Sequence, residues 1–194
     1  MNIGIYIYDD AEVLDFSGPF EVFTTASRLY KESTAFDVYL IGETGDIVTA
    51  RAGYKVIPHC GIENHPPLDV LIVVGGVHTQ EMTKPNVLRW LRAQAETAKI
   101  VASVCTGAFL LAQAGVLENQ KVTTHWEDIA GLRIQFPQLH VIEGVRWVDE
   151  GDRLTSGGIS AGIDMCLHLV GRLHSQKLAE KTALQMEFSW TKNS

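Results

Sequence analysis

Short apolar runs divide the chain into strand-length blocks separated by helix-length amphipathic stretches. Blocks at residues 3–8, 36–41, 70–74 and 100–104 are rich in Ile, Val and aromatic side chains, which suit a pleated, half-buried surface. Two of them, Leu71-Ile72-Val73-Val74 and Ile100-Val101-Ala102-Ser103-Val104, lack regular polar alternation, as central strands covered on both faces should. Over residues 85–98, Leu88, Leu91, Ala95 and Ala98 recur at helical spacing, with Arg89, Arg92 and Glu96 outside that stripe. Thr83 is expected to cap this helix ahead of Pro85. Residues 106–114 are nearly apolar all round and predict a buried helix; residues 159–173 predict an amphipathic one. Two segments read as hairpin insertions, 46–56 turning near Gly53 and 141–154 turning at Glu150-Gly151. The remainder alternates strand and helix. That order implies an α/β fold with a mainly parallel sheet and helices on both faces. Ligand sites in such sheets form at the carboxyl ends of the strands.

Composition adds mostly exclusions. The 194 residues are 46% hydrophobic and 20% charged, an ordinary globular balance, and the one Pro-rich spot, His65-Pro66-Pro67, reads as a loop. A single domain over residues 1–194 is expected. The formal charge of −7 argues against a phosphate-binding surface, so no nucleic-acid partner is expected. The opening residues lack a basic leader and no run reaches membrane-spanning length, which predicts a cytoplasmic protein with no membrane contact. Cys60, Cys105 and Cys166 form no C-x-x-C pair, and the histidines are scattered. Free thiols are therefore expected, with no metal and no cofactor.

Three strand ends carry chemistry. After residues 100–104 the chain reads Cys105-Thr106-Gly107 and turns at once into the buried helix. This is a nucleophile elbow: the strand delivers one side chain to a sharp turn, and a small residue two positions later lets the helix pack close. A thiol at a helix N-terminus should have its pKa lowered, and the Thr106 N–H should point into the same space. A lone cysteine beside an apolar strand is otherwise a small buried hydrophobe. That plain reading serves for Cys60 and Cys166; the elbow argues against it at Cys105. Gly75-Gly76 follows the block at residues 70–74 and offers either backbone donors to a ligand or a tight turn. Asp15 lies between apolar neighbours after the first block. It is either a partly buried acid or a cap for a helix beginning near Pro19. His125, in Thr123-Thr124-His125-Trp126, either reaches the site or makes a structural hydrogen bond. The Gly-rich run from Thr155 to Asp164, with Ile159 in it, lacks a phosphate-loop pattern and reads as a close-packing turn lining the pocket. Asp164 and His168 share a helical face but are too few for a metal site.

The segments Leu14-Asp15-Phe16-Ser17-Gly18-Pro19, Leu71 to Gly76, Ser103 to Leu117, Thr123 to Trp126 and Thr155 to Asp164 resemble the ThiJ/PfpI superfamily, also called class I glutamine amidotransferase-like. The likeness spans nearly the whole chain. It is similar to isonitrile hydratases and to the sensor domains of AraC-type regulators. The resemblance implies a flavodoxin-like single domain, a homodimer and a small-molecule substrate. It further implies Cys105 as a nucleophile on an isonitrile carbon and Asp15 as the proton relay. Thr106 and Gly76 would then be backbone donors at the reacting carbon, with Gly75, His125 and Ile159 around the substrate. Peptidase-like members resemble one another in carrying His after the Cys; Thr106 stands there instead, which disfavours a protease. With few residues after Trp190, no helix-turn-helix region and no direct DNA binding are expected. Isonitrile hydration is the leading expectation. The alternatives are ligand sensing or a redox-responsive stress role for Cys105, and a glyoxalase-like or deglycase-like activity.

Overall fold

The blocks at residues 3–8, 70–74 and 100–104 become the middle of a seven-stranded sheet. The computed structural model describes residues 1–31 and 35–192. Its strands are β1 (Asn2–Tyr6), β2 (Asp37–Gly42), β3 (Val48–Ala50), β4 (Tyr54–Val56), β5 (Cys60–Gly61), β6 (Val70–Val73), β7 (Ile100–Val104), β8 (Lys121–Val122), β9 (His140–Val141), β10 (Trp147–Asp149) and β11 (Arg153–Ser156). The helices are α1 (Val13–Leu29), α2 (Pro85–Thr97), α3 (Gly107–Gln113), α4 (Ile129–Gln135), α5 (Ala161–Leu173) and α6 (Gln176–Gln185). The main sheet runs β10-β11-β7-β6-β1-β2-β5, and every pairing is parallel except β10 with β11. Ile3 pairs with Val70, and Val70 with Ile100, so the central strands end at one level.

All residues of β6 and β7 are buried, as the missing alternation required. Fully burying side chains such as Leu71 and Ile72 stabilises the fold by about 2–3 kcal/mol each. Helices α1, α5 and α6 pack on one another, and α2 packs on α3. No helix among the described residues is long and apolar enough to cross a membrane.

Three expectations need correction. Helix α1 starts at Val13, six residues before Pro19, and Pro19 lies inside it. Nothing in residues 13–17 breaks a helix, and the Ser17 hydroxyl donates to the Val13 carbonyl at 2.8 Å. Asp15 is therefore in the first turn and caps nothing. Thr83 belongs to a short 3₁₀ turn and donates to the Gln80 carbonyl; Lys84 occupies the cap position of α2. The second hairpin is shorter than expected, β10 to β11, because Val141 pairs with Val122 in a separate two-stranded parallel sheet. The first hairpin, β3 to β4, forms its own two-stranded sheet. Helix α6 was not anticipated; Ser175 caps it by accepting from the Leu178 N–H at 3.2 Å.

Candidate active site

The carboxyl ends of β1, β6, β7 and β11 converge on Cys105. The loops after β1 and β6 are stitched together by a bridge between Ala11 and Gly76. The Glu12 N–H donates to the Gly75 carbonyl at 2.9 Å, and the Val77 N–H to the Asp10 carbonyl at 3.1 Å. This stitching carries the first turn of α1, with Asp15, up to the elbow.

The elbow is as tight as its sequence promised. Cys105 has φ +56, the left-handed region that non-glycine residues rarely occupy. Its N–H is shared between the carbonyls of Ser156 (3.2 Å) and Gly157 (3.3 Å), and its carbonyl accepts from the Thr124 hydroxyl at 2.9 Å. A β-carbon at Gly107 would stand 2.1 Å from the Val73 carbonyl oxygen, so only glycine lets α3 approach β6 this closely.

Asp15 is fully buried and lies close enough to the Cys105 thiol for each group to shift the other's proton affinity. Its Oδ2 accepts from the Gly75 N–H and its Oδ1 from the Ile159 N–H, both at 3.1 Å. Ile159 also sits at positive φ, +57, so two strained residues from different loops meet at one acid. Burial pushes the Asp15 carboxyl up to about 7, against the pull of these two amides and the thiol. The expected lowering of the Cys105 thiol is overturned. Burial first, and the Asp15 carboxylate second, hold it well above an ordinary thiol, and the Thr106 N–H only partly offsets them. Helix α3 has seven residues, too short for its dipole to prevail in this setting. The two groups thus titrate as a coupled pair, and the first proton, from Asp15, leaves near neutral pH.

The backbone donors are distributed differently from the expectation. The Gly76 N–H donates to Thr106 Oγ1 at 2.9 Å and is not free for a ligand; the Thr106 hydroxyl in turn donates to the Gly76 carbonyl at 3.0 Å. The Gly75 N–H serves Asp15. Only the Thr106 N–H points at sulfur. Thr106 therefore clamps the glycine turn through its side chain and meets the thiol through its backbone.

Cys105, Thr106, Gly76, His125 and Ile159 line one pocket of ≈ 220 Å³, together with Glu12, Arg51, Glu127 and Asp128. Gly75 is behind this wall, on Asp15. His125 Nδ1 accepts from the Glu127 N–H at 3.4 Å, and the residue lines the pocket. A second pocket of ≈ 370 Å³ shares His125 and Ile159 as walls and is lined by Trp126, Ile129, Val145 and Arg146. Sequence reasoning missed Arg51, Glu127, Asp128 and Arg146. Glu127 and Asp128 directly follow the Thr123 to Trp126 motif and were findable; Arg51 comes from the β3–β4 insertion, where nothing local marks it. Asp164 and His168 do not cooperate. Asp164 is buried against Arg146, whereas His168 pairs with Asp149 at 2.6 Å. Cys166 is buried and Cys60 partly so, both with raised thiol pKa from burial alone. Among the described residues no group of three His, Cys, Asp or Glu is placed to hold a metal ion.

Comparison with known proteins agrees with this geometry. The chain is 33% identical over 193 residues to an isonitrile hydratase from Pseudomonas putida, covering 97% of this chain and 79% of that one. It is 31% identical over 178 residues to the HTH-type transcriptional regulator GbdR of Pseudomonas aeruginosa, covering 92% of this chain. It spans about half, 48%, of that regulator's length. Among solved structures, a ThiJ/PfpI family protein from Pseudomonas syringae superposes with a TM-score of 0.85 at 27% identity, covering 100% of this chain and 77% of the other. The DJ-1/PfpI family pattern itself matches residues 1–172, which hold every element that builds the elbow and its acid, and the chain belongs to that family.

Proposed function

We propose that the protein is a cysteine-dependent enzyme that hydrates isonitriles to N-substituted formamides. One arrangement carries the reading: a buried acid, held by the Gly75 and Ile159 amides and pushed up to about 7 by burial, stands beside a thiol that lines a small pocket. A proton-transfer group works best with a pKa near the working pH. The Cys105 proton passes to the Asp15 carboxylate as sulfur bonds to the terminal carbon of R–N≡C. Asp15 returns that proton to the carbon, leaving the thioimidate R–N=CH–S. Water then adds across C=N, its oxygen to carbon and one proton to nitrogen. The remaining hydroxyl proton moves through Asp15 to sulfur as the C–S bond breaks, releasing R–NH–CHO. The Thr106 N–H holds sulfur during both steps. The isonitrile carbon sits in the smaller pocket, and R extends past Ile159 toward Trp126.

The test is incubation with a panel of alkyl and aryl isonitriles, with formamide measured by chromatography. Wild type should turn over and Cys105→Ala should not; a panel with no turnover removes the assignment. A second reading, small-molecule sensing by the same pocket, draws support from the likeness to the regulator. It predicts saturable binding of a small molecule at Cys105 without turnover. On either reading the acting form is a homodimer, a proposal that sedimentation can check.

A further inference from the structure

Tyr8 follows the last residues of β1 and is buried behind the elbow, 3% exposed, in no contact with either pocket that holds Cys105 or Trp126. Its hydroxyl donates to the carbonyl oxygen of Val74 at 3.3 Å. That carbonyl and the Gly75 N–H belong to one planar peptide unit. The N–H end of the unit donates to Asp15 Oδ2 at 3.1 Å. The peptide is therefore held at both ends, by a phenol on one side and by the acid on the other. A second brace acts one residue on, where the Thr106 hydroxyl engages both polar groups of Gly76.

We propose that Tyr8 is a positioning residue for the reaction: through the Val74–Gly75 peptide it fixes the N–H that orients the Asp15 carboxylate toward Cys105. This rests on the reading of Cys105 and Asp15 as the reacting pair. Two physical effects add. A donor on the carbonyl polarises the peptide and strengthens its N–H as a donor. It also stops the peptide from rotating about its flanking bonds, a freedom that Gly75 would otherwise allow. Without the Tyr8 hydroxyl the amide pulls less on the ionised acid, so the proton is held more tightly and the carboxylate wanders. The titratable groups around the carboxyl are Cys105 from the elbow, Tyr8 from the end of β1 and Glu12 from its own helix start. Asp128 acts on the sulfur from the far wall. Removing the phenolic oxygen leaves Cys105, Glu12 and Asp128 in place.

The experiment uses Tyr8→Phe in the full chain, which keeps the ring and its packing. The rate of Cys105 alkylation by iodoacetamide is followed against pH by mass spectrometry of the Cys105 peptide. The midpoint should move upward by about half a pH unit, the size expected when one hydrogen bond to a charged group weakens. The rate at pH 7 should fall about twofold, following from that half-unit shift. A melting curve identifies a misfolded variant. An unmoved midpoint in folded Tyr8→Phe overturns the assignment. The readout needs no isonitrile. A shifted midpoint in a protein that hydrates no isonitrile would sink the proposed reaction and leave the role of Tyr8 standing.

Discussion

Replacing Asp15 with asparagine should make the protein's stability respond to pH in a new way. In the folded chain burial holds this carboxyl at about 7, whereas in the unfolded chain it returns toward 3.8. Between those values the folded form keeps a proton that the unfolded form has released. The unfolded state therefore binds fewer protons, and stability falls as pH rises from the lower value to the higher, levelling off above it. The full span of about three pH units corresponds to about 4 kcal/mol, of which about 2.5 kcal/mol falls between pH 5 and pH 8. The amide introduced by Asp15→Asn does not titrate. It does meet the Ile159 and Gly75 N–H groups, one of which must face its NH₂, at a pH-independent cost of about 1–3 kcal/mol. Urea unfolding of both proteins at pH 5, 6, 7 and 8 isolates the acid, because every other titrating group cancels in the difference. The variant should lose ground to wild type at pH 5 and recover about 2.5 kcal/mol of it by pH 8. A difference that stays flat across this range would refute the claim that Asp15 is held up by burial.

Three further outcomes follow from the geometry. Gly107→Ala would drive a β-carbon to 2.1 Å from the Val73 carbonyl, so α3 must shift; chemical unfolding should show a loss of about 3 kcal/mol. Arg146→Ala leaves Asp164 buried without its guanidinium partner, and urea unfolding at pH 7 should show roughly 3 kcal/mol lost. Because Asp164 also holds the Thr191 N–H (2.7 Å) and the Trp190 indole (3.2 Å), tryptophan fluorescence should change in the same variant. Gly158→Ala places a β-carbon 2.1 Å from the His125 ring, which must turn into the pocket. Steady-state kinetics with an isonitrile should show KM rising more than kcat falls.

The sheet and the elbow were legible because both rest on local rules. Unbroken apolar runs of this length suit doubly covered strands, and Cys105-Thr106-Gly107 after such a run marks a sharp turn. The chemistry of the site was less legible because it depends on what arrives from elsewhere. The thiol was expected to be acidified by its helix, but burial raises it, and the acid that adds to this comes from α1, far earlier in the chain. Asp15 itself read equally well as a cap, since Pro19 advertised a helix start that the chain does not use. Gly76 looked like a free donor because nothing in its neighbourhood announces that the Thr106 hydroxyl takes its N–H. Tyr8 looked like one more apolar strand residue. Only the partner of its hydroxyl, a carbonyl after another strand, gives it a role.

The central claim is that Cys105 and Asp15 act as one proton-sharing pair. The pH dependence of Cys105 alkylation in wild type and Asp15→Asn tests it most directly. Wild type should gain reactivity with a midpoint near pH 7, where Asp15 loses its proton and can take the thiol proton as sulfur is alkylated, and the variant, which has no such base, should gain it only above the ordinary thiol range. A wild-type midpoint above that range, or identical profiles in the two proteins, would contradict the account.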